Sequence, residues 1–135
     1  MMRYLIGTDE AGYGPNLGPL VITATVWHVP DEVANGDLYE WLDGVVSRKT
    51  SRKSDASYIA IADSKALYKP GSGLAALEYG VLSTLAAARI NVANWCEAWQ
   101  TLAPHSWPWM AAIPWYGTFD PELPVDADPE QVRNL

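Results

Sequence analysis

The alternation of apolar and polar positions changes along the chain, and each change predicts an element. Residues 3 to 8 form a short apolar run that reads as a strand. It enters a glycine-rich turn made by Gly12, Gly14, Pro15, Asn16 and Gly18. Residues 20 to 27 are rich in β-branched side chains and alternate between two faces. Leu20, Ile22, Ala24 and Val26 lie on one, and Val21, Thr23, Thr25 and Trp27 on the other. Two strands joined by one turn predict an antiparallel pair. The segment from 30 to 44 is acidic, and Leu38-Tyr39-Glu40-Trp41-Leu42 predicts a short helix within it. Tyr58-Ile59-Ala60-Ile61 reads either as a third strand or as the approach to a loop.

Lys69-Pro70-Gly71-Ser72-Gly73 then breaks the pattern. Leu74, Leu77, Val81, Leu85 and Ala88 follow at helical spacing, with Ser72 placed to cap the helix. Residues 90 to 95 read as another strand. Residues 104 to 124 are rich in Pro and Trp without a steady period, and read as a long packed loop or insertion. Asp128-Pro129-Glu130-Gln131 has an acidic cap, Pro at the first helical position and Gln at the third, which predicts a helix start. A helix reaching only to Leu135 would be marginal by itself. The expectation is one α/β domain over residues 1–135, incomplete at its C-terminal end; the alternative is a frayed tail.

Composition narrows the function. A hydrophobic fraction of 49% argues against disorder. The net charge of −7 argues against a broad nucleic-acid surface, because phosphate contacts need Lys and Arg. The charges are uneven, however: five acids lie between Asp31 and Asp43, and six of the nine bases between Arg48 and Lys69. Arg48, Lys49, Arg52 and Lys53 read equally as a phosphate track or a solvated loop. Cys96 is the only cysteine, which precludes an intrachain disulfide and fits a reducing compartment, with the cytoplasm as the default. No apolar run approaches the ~20 residues of a membrane-spanning helix, so no membrane association is expected.

Asp9 and Glu10 stand where the first strand meets the glycine turn. Neighbouring strand residues point to opposite faces, so both carboxylates reach one site only if the strand ends or bulges between them. Two converging carboxylates repel unless a cation lies between them, and hard oxygen donors suit Mg²⁺ or Mn²⁺. Exposed backbone N–H groups in a glycine loop can approach a phosphate closely. The alternative is a hairpin turn with solvated acids. His28 and His105 lack carboxylate or thiol neighbours at ligand spacing and read as surface or capped histidines. Trp107, Trp109, Trp115 and Tyr116 could stack on bases, yet core or lid packing is preferred. Prolines interleave them, and no Lys or Arg lies between Arg89 and Arg133.

Asp9-Glu10-Ala11-Gly12-Tyr13-Gly14-Pro15, followed by Gly18-Pro19-Leu20-Val21, resembles the first-strand motif of the type 2 ribonucleases H. Asp63-Ser64-Lys65 ahead of the Leu74 helix resembles that family's downstream motif. The resemblance covers roughly residues 3 to 90. It implies a ribonuclease H-like mixed sheet with antiparallel early strands and flanking helices. It also implies metal-dependent cleavage of RNA in RNA–DNA hybrids, or of DNA with embedded ribonucleotides. Asp9 and Glu10 would be the catalytic metal ligands for Mg²⁺ or Mn²⁺. Gly12, Tyr13 and Gly14 would hold substrate near the ribonucleotide 2′-hydroxyl, and Ser64 and Lys65 would contact phosphate.

The chain departs from the family pattern at three points. Bacterial members usually have Arg between the glycines, where this chain has Tyr13. The gap between the motifs is longer than the family's. The further Asp ligands that the family draws from later strands have no clear counterpart, and Asp120, Asp126 and Asp128 have loop-forming Pro neighbours. Cleavage by residues 1–135 alone is therefore not expected. The alternatives are a non-catalytic nucleic-acid-binding protein of the same fold, and an interaction domain that uses its Trp-rich segment. The latter predicts an exposed apolar patch around Trp107 to Trp115.

Overall fold

The structure is a computed structural model and describes residues 1–11, 20–48, 58–68, 70–71 and 73–133. The chain divides into two compact units, Met1–Asp43 and Gly44–Leu135.

In the first unit, strands β1 (Met2–Ala11) and β2 (Val21–Pro30) form the predicted antiparallel ribbon. β1 extends past both of its expected ends and β2 past its C-terminal one, with ten opposed pairs running unbroken from Met2–Pro30 to Ala11–Val21. Directly opposed residues share a face. One face carries Tyr4 with His28, Ile6 with Val26, and Glu10 with Ile22; the other carries Leu5 with Trp27, Gly7 with Thr25, and Asp9 with Thr23. On the first face the Tyr4 and His28 rings stack with centroids 4.8 Å apart. On the second, Trp27 Nε1 donates to Thr25 Oγ1 at 3.2 Å. A Cβ on Gly7 would meet that hydroxyl at 3.2 Å, so the bare backbone leaves it its place.

Helix α1 (Asp31–Ala34) follows β2 directly and buries Val33. It was not anticipated from the sequence. Asp31 holds it to the start of the ribbon: its N–H donates to the Met1 carbonyl at 3.1 Å, and its Oδ1 lies 2.8 Å from Arg3 Nε. Helix α2 (Leu38–Trp41) is the expected short helix, capped by the Asp37 carboxylate, which accepts from Tyr39 N at 3.0 Å.

The second unit begins with β3 (Val46–Ser47) and β4 (Ile59–Ala60), which pair in parallel; Ile59 is buried. Residues 58–61 thus supply a strand. The described residues make a mixed α/β structure with one antiparallel and one parallel two-stranded sheet. Helices α3 (Ser64–Leu67), α4 (Ala75–Ala87), α5 (Trp95–Leu102), α6 (Trp107–Ala111), α7 (Pro114–Gly117) and α8 (Pro129–Arg133) follow. Helix α4 approaches β4 at the buried Gly80, where a Cβ would meet the Ala60 carbonyl at 3.0 Å.

Ser72, the expected cap of α4, lies outside the described residues. The N-cap residue Leu74 supplies no side-chain cap, and a remote carboxylate meets its N–H instead: Asp126 Oδ2 accepts from Leu74 N at 2.6 Å. Glu78 in the first turn of α4 answers it. Its carboxylate accepts from Val125 N and Asp126 N at 2.7 Å each, and from Ala127 N at 2.9 Å.

Two expectations need correction. Residues 90 to 95 form no strand; Asn94 makes a lone bridge with Glu122, and Trp95 opens α5. The Asn94 side chain accepts from Glu97 N at 2.8 Å, and Glu97 Oε2 accepts from Ala93 N at 2.7 Å. These caps start a helix where Ile90 and Val92 favoured extended chain. Residues 104 to 124, expected as a long packed loop or insertion, contain α6 and α7. Each carries Pro in its first turn, where a missing N–H costs nothing. The predicted helix start at Asp128 is present as α8, with Asp128 Oδ1 accepting from Glu130 N at 2.9 Å.

Candidate functional site

Asp9 and Glu10 occupy the two rungs of β1 before the last pair, Ala11–Val21, and lie opposite Thr23 and Ile22. The ribbon neither ends nor bulges between them, since pairing continues to Ala11–Val21. The two carboxylates therefore project from opposite faces. Both residues are exposed. Asp9 Oδ1 accepts from Glu10 N at 2.9 Å, and Thr23 Oγ1 donates to the Asp9 carbonyl at 3.4 Å. Gly12, Tyr13 and Gly14 lie outside the described residues, as do Lys49, Arg52 and Lys53.

Ser64 and Lys65 belong to the second unit and open α3. Asp63 Oδ1 accepts from Lys65 N at 2.8 Å, which makes Asp63 a cap. Ser64 and Lys65 are exposed and line a shallow recess of about 290 Å³ with Tyr68, Leu74 and Leu77. Its walls are otherwise apolar, so the Lys65 ammonium is the one cation among the lining residues.

A site for a hard divalent cation needs several oxygen donors aimed at one point. The described residues do not fit that requirement. Asp9 and Glu10 diverge, and among the described residues no three or more His, Cys, Asp or Glu side chains gather at cation-binding distance. The later aspartates have backbone duties instead. Asp120 Oδ1 accepts from Cys96 N at 2.9 Å, while Asp126 and Asp128 cap Leu74 and Glu130. Burial pushes the Cys96 thiol above its ordinary range, and the Asp120 carboxylate adds to this by hydrogen bond and charge.

The Trp-rich segment departs from the packing expected of it. Trp107 and Tyr116 are half-buried, but Trp109 is 80% exposed and Trp115 68% exposed. Trp95 supplies the packed aromatic contacts, edge-on to Trp99 at 5.6 Å and to Phe119 at 5.7 Å. His28 stacks on Tyr4 and His105 is exposed, as expected of surface histidines. Sequence reasoning missed Glu78 altogether, because its three partners lie 47 to 49 residues away. No described helix is long and apolar enough to cross a membrane.

Comparison of the chain with family models, with curated proteins and with solved structures returns no match.

Proposed function

We propose that this chain carries the acid-pair and phosphate-contact segments of a ribonuclease HII-like endonuclease. Its substrate would be an RNA–DNA hybrid, or DNA with embedded ribonucleotides. One observation carries the reading: Asp9 and Glu10 stand near the end of an antiparallel ribbon, immediately ahead of the glycine segment Gly12-Tyr13-Gly14. Asp63-Ser64-Lys65 at the opening of a helix supports it further. In this reading Gly12, Tyr13 and Gly14 meet the substrate backbone. Ser64 offers a hydroxyl to phosphate, and Lys65 a point charge. The divalent cation, Mg²⁺ or Mn²⁺ by the hardness of oxygen donors, needs ligands beyond Asp9 and Glu10.

The divergence of Asp9 and Glu10 favours a second reading, a non-catalytic binder of the same nucleic acid. A gel assay on a labelled RNA–DNA hybrid with Mn²⁺, using wild type, Asp9→Asn and Lys65→Met, tests both, and calorimetric titration of Mn²⁺ into wild type and Asp9→Asn separates them: binding weakened by Asp9→Asn favours the endonuclease, and equal binding by both proteins favours the binder. The 135-residue chain should bind the hybrid without cutting it. Lys65→Met should weaken binding and flatten its salt dependence by about one phosphate contact. Cleavage abolished by Asp9→Asn would reject the binder and show that the chain holds a complete ligand set. Absence of hybrid binding, or an unchanged salt slope in Lys65→Met, would reject both readings.

A further inference from the structure

We propose that the second unit carries a binding site for a small apolar amine, in a cleft bounded by α4, the start of α5, residues 122–124 and α8. The cleft has a volume of about 730 Å³, within the range of roughly 300–1,000 Å³ usual for small-molecule sites. Leu82 and Ala86 line it from α4, Ile90 and Val92 from the connection that follows, and Leu123 and Val132 from the far end of the chain. All six are half-buried, so the cleft offers apolar surface that a ligand can take out of water.

The cleft is held open by backbone bonds. Trp95 N donates to the Pro121 carbonyl at 3.1 Å, and Leu123 N donates to the Ala93 carbonyl at 2.9 Å. Between these two bonds Asn94 and Glu122 form an isolated antiparallel bridge. Past Pro124 the chain is tied to α4 through the three N–H groups that Glu78 receives. A ligand therefore meets a site whose parts are already ordered, which lowers the cost of binding.

Charge selects the occupant. Glu97 and Glu122 line the same cleft, and both are exposed to solvent. Their backbones are anchored through one residue: Glu122 is bridged to Asn94, whose Oδ1 accepts from Glu97 N at 2.8 Å. Glu97 Oε2 accepts from Ala93 N, while the Glu122 carboxylate has no hydrogen-bond or ion-pair partner among the described residues. No Lys, Arg or His is found among the described lining residues; Arg89 precedes Ile90 but is exposed and lies outside the lining. Uncompensated carboxylates beside apolar walls suit a ligand with an apolar body and an ammonium end, which donates charge-assisted hydrogen bonds to them. The same charge repels a carboxylate or phosphate end. A bare metal ion would leave the apolar walls uncovered, and among the described residues no three His, Cys, Asp or Glu gather to hold one. The proposal is independent of the nuclease reading.

The test titrates the whole ¹⁵N-labelled chain with 2-phenylethylamine and follows amide shifts. Saturable shifts should centre on Ala93, Asn94, Glu122 and Leu123. The neutral analogue 2-phenylethanol should bind more weakly, and 3-phenylpropionate more weakly still. Glu122→Gln keeps the shape and removes the charge, so it should lower amine affinity about threefold, the effect of a solvated ion pair, and leave the alcohol unchanged. Ala86→Phe fills the cleft and should abolish binding of both; the Glu122→Gln result stands even if that variant does not fold. The proposal is overturned by shifts that do not saturate or that centre elsewhere, or by alcohol or acid binding as tightly as amine. It is overturned equally if Glu122→Gln leaves amine affinity unchanged, or lowers amine and alcohol alike, which would mark Glu122 as merely structural. A folded Ala86→Phe chain that still binds the amine would also overturn it.

Discussion

The ribbon of Met1–Asp43 and the helical unit of Gly44–Leu135 satisfy their backbones by different means. In the ribbon the strands do the work: ten opposed pairs consume N–H and C=O groups, while apolar side chains such as Tyr4, Ile6 and Ile22 remain 69% exposed. In the second unit, short helices and their connections leave many N–H groups without a ladder partner, and side chains fill the gap. Glu78 accepts from three consecutive backbone N–H groups, and Asp126, Asp120, Asp128 and Asn94 each accept from one. The first unit uses carboxylates this way only locally, as Asp37 does for Tyr39 N, whereas Glu78, Asp120 and Asp126 bridge distant segments. The late aspartates are committed to architecture. Asp9 and Glu10 lie on a backbone that the ladder already holds. The Asp9 carboxylate accepts from its neighbour's N–H, a bond that ties no distant segment to the ribbon.

The sharpest way to break this contrast is at Glu78. Removing its carboxylate strips the acceptor from the N–H groups of Val125, Asp126 and Ala127 at once. Glu78→Ala should cost about 2–3 kcal/mol, since each lost charge-assisted bond matters but these groups are partly open to water. Urea unfolding measures the loss. A cost below about 0.5 kcal/mol would show that water replaces the carboxylate without penalty.

Asp126 gives the next largest effect. Asp126→Ala should cost about 1 kcal/mol, the usual worth of a helix cap, and Asp126→Asn should recover most of it because the amide oxygen still accepts from Leu74 N. The N–H of Asp126 itself rests on Glu78, so the two sites are coupled. The double variant Glu78→Ala/Asp126→Ala should therefore lose less than the sum of the single losses. Strict additivity would mean that the two carboxylates act as separate caps rather than as one clamp.

The contrast also explains what was legible in the sequence. Alternation at residues 20–27 and helical spacing from Leu74 are local signals, and both led to the right elements. So did the cap at Asp128. The clamp was invisible because its halves lie about fifty residues apart, 52 in the case of Leu74 and Asp126. Residues 90–95 misled because the β-branched side chains Ile90 and Val92 precede a strong cap, Asn94, and the cap prevailed. At the candidate site the residue types were legible, but the faces were not. Whether Asp9 and Glu10 converge depends on whether β1 is interrupted between them, and only the register with β2 answers that. For the Trp-rich segment the absence of Lys and Arg was plain from the start. The exposure of Trp109 was not, since nothing local tells an uncovered indole from a packed one.

The smallest effect is expected where the ribbon does use an ion pair. Arg3 Nε lies 2.8 Å from Asp31 Oδ1, and the Met1 amino group lies 3.9 Å from Asp31 Oδ2. The Arg3 side chain is more than half exposed, so water and salt compete for its guanidinium. Such pairs contribute from nothing to about 1 kcal/mol. Arg3→Met keeps much of the stem and removes the charge, and Asp31 retains the Met1 amino group nearby. The variant should unfold in urea within about 0.5 kcal/mol of wild type at low salt. The difference should vanish near 1 M salt, where screening acts within about 3 Å. The ladder between β1 and β2 is untouched by the change, so its ten opposed pairs should hold the ribbon together unaided. A loss above about 2 kcal/mol would reverse the comparison, because a pair whose guanidinium is open to water does not supply that much. The first unit would then depend on a long-range carboxylate contact, as the second does through Glu78.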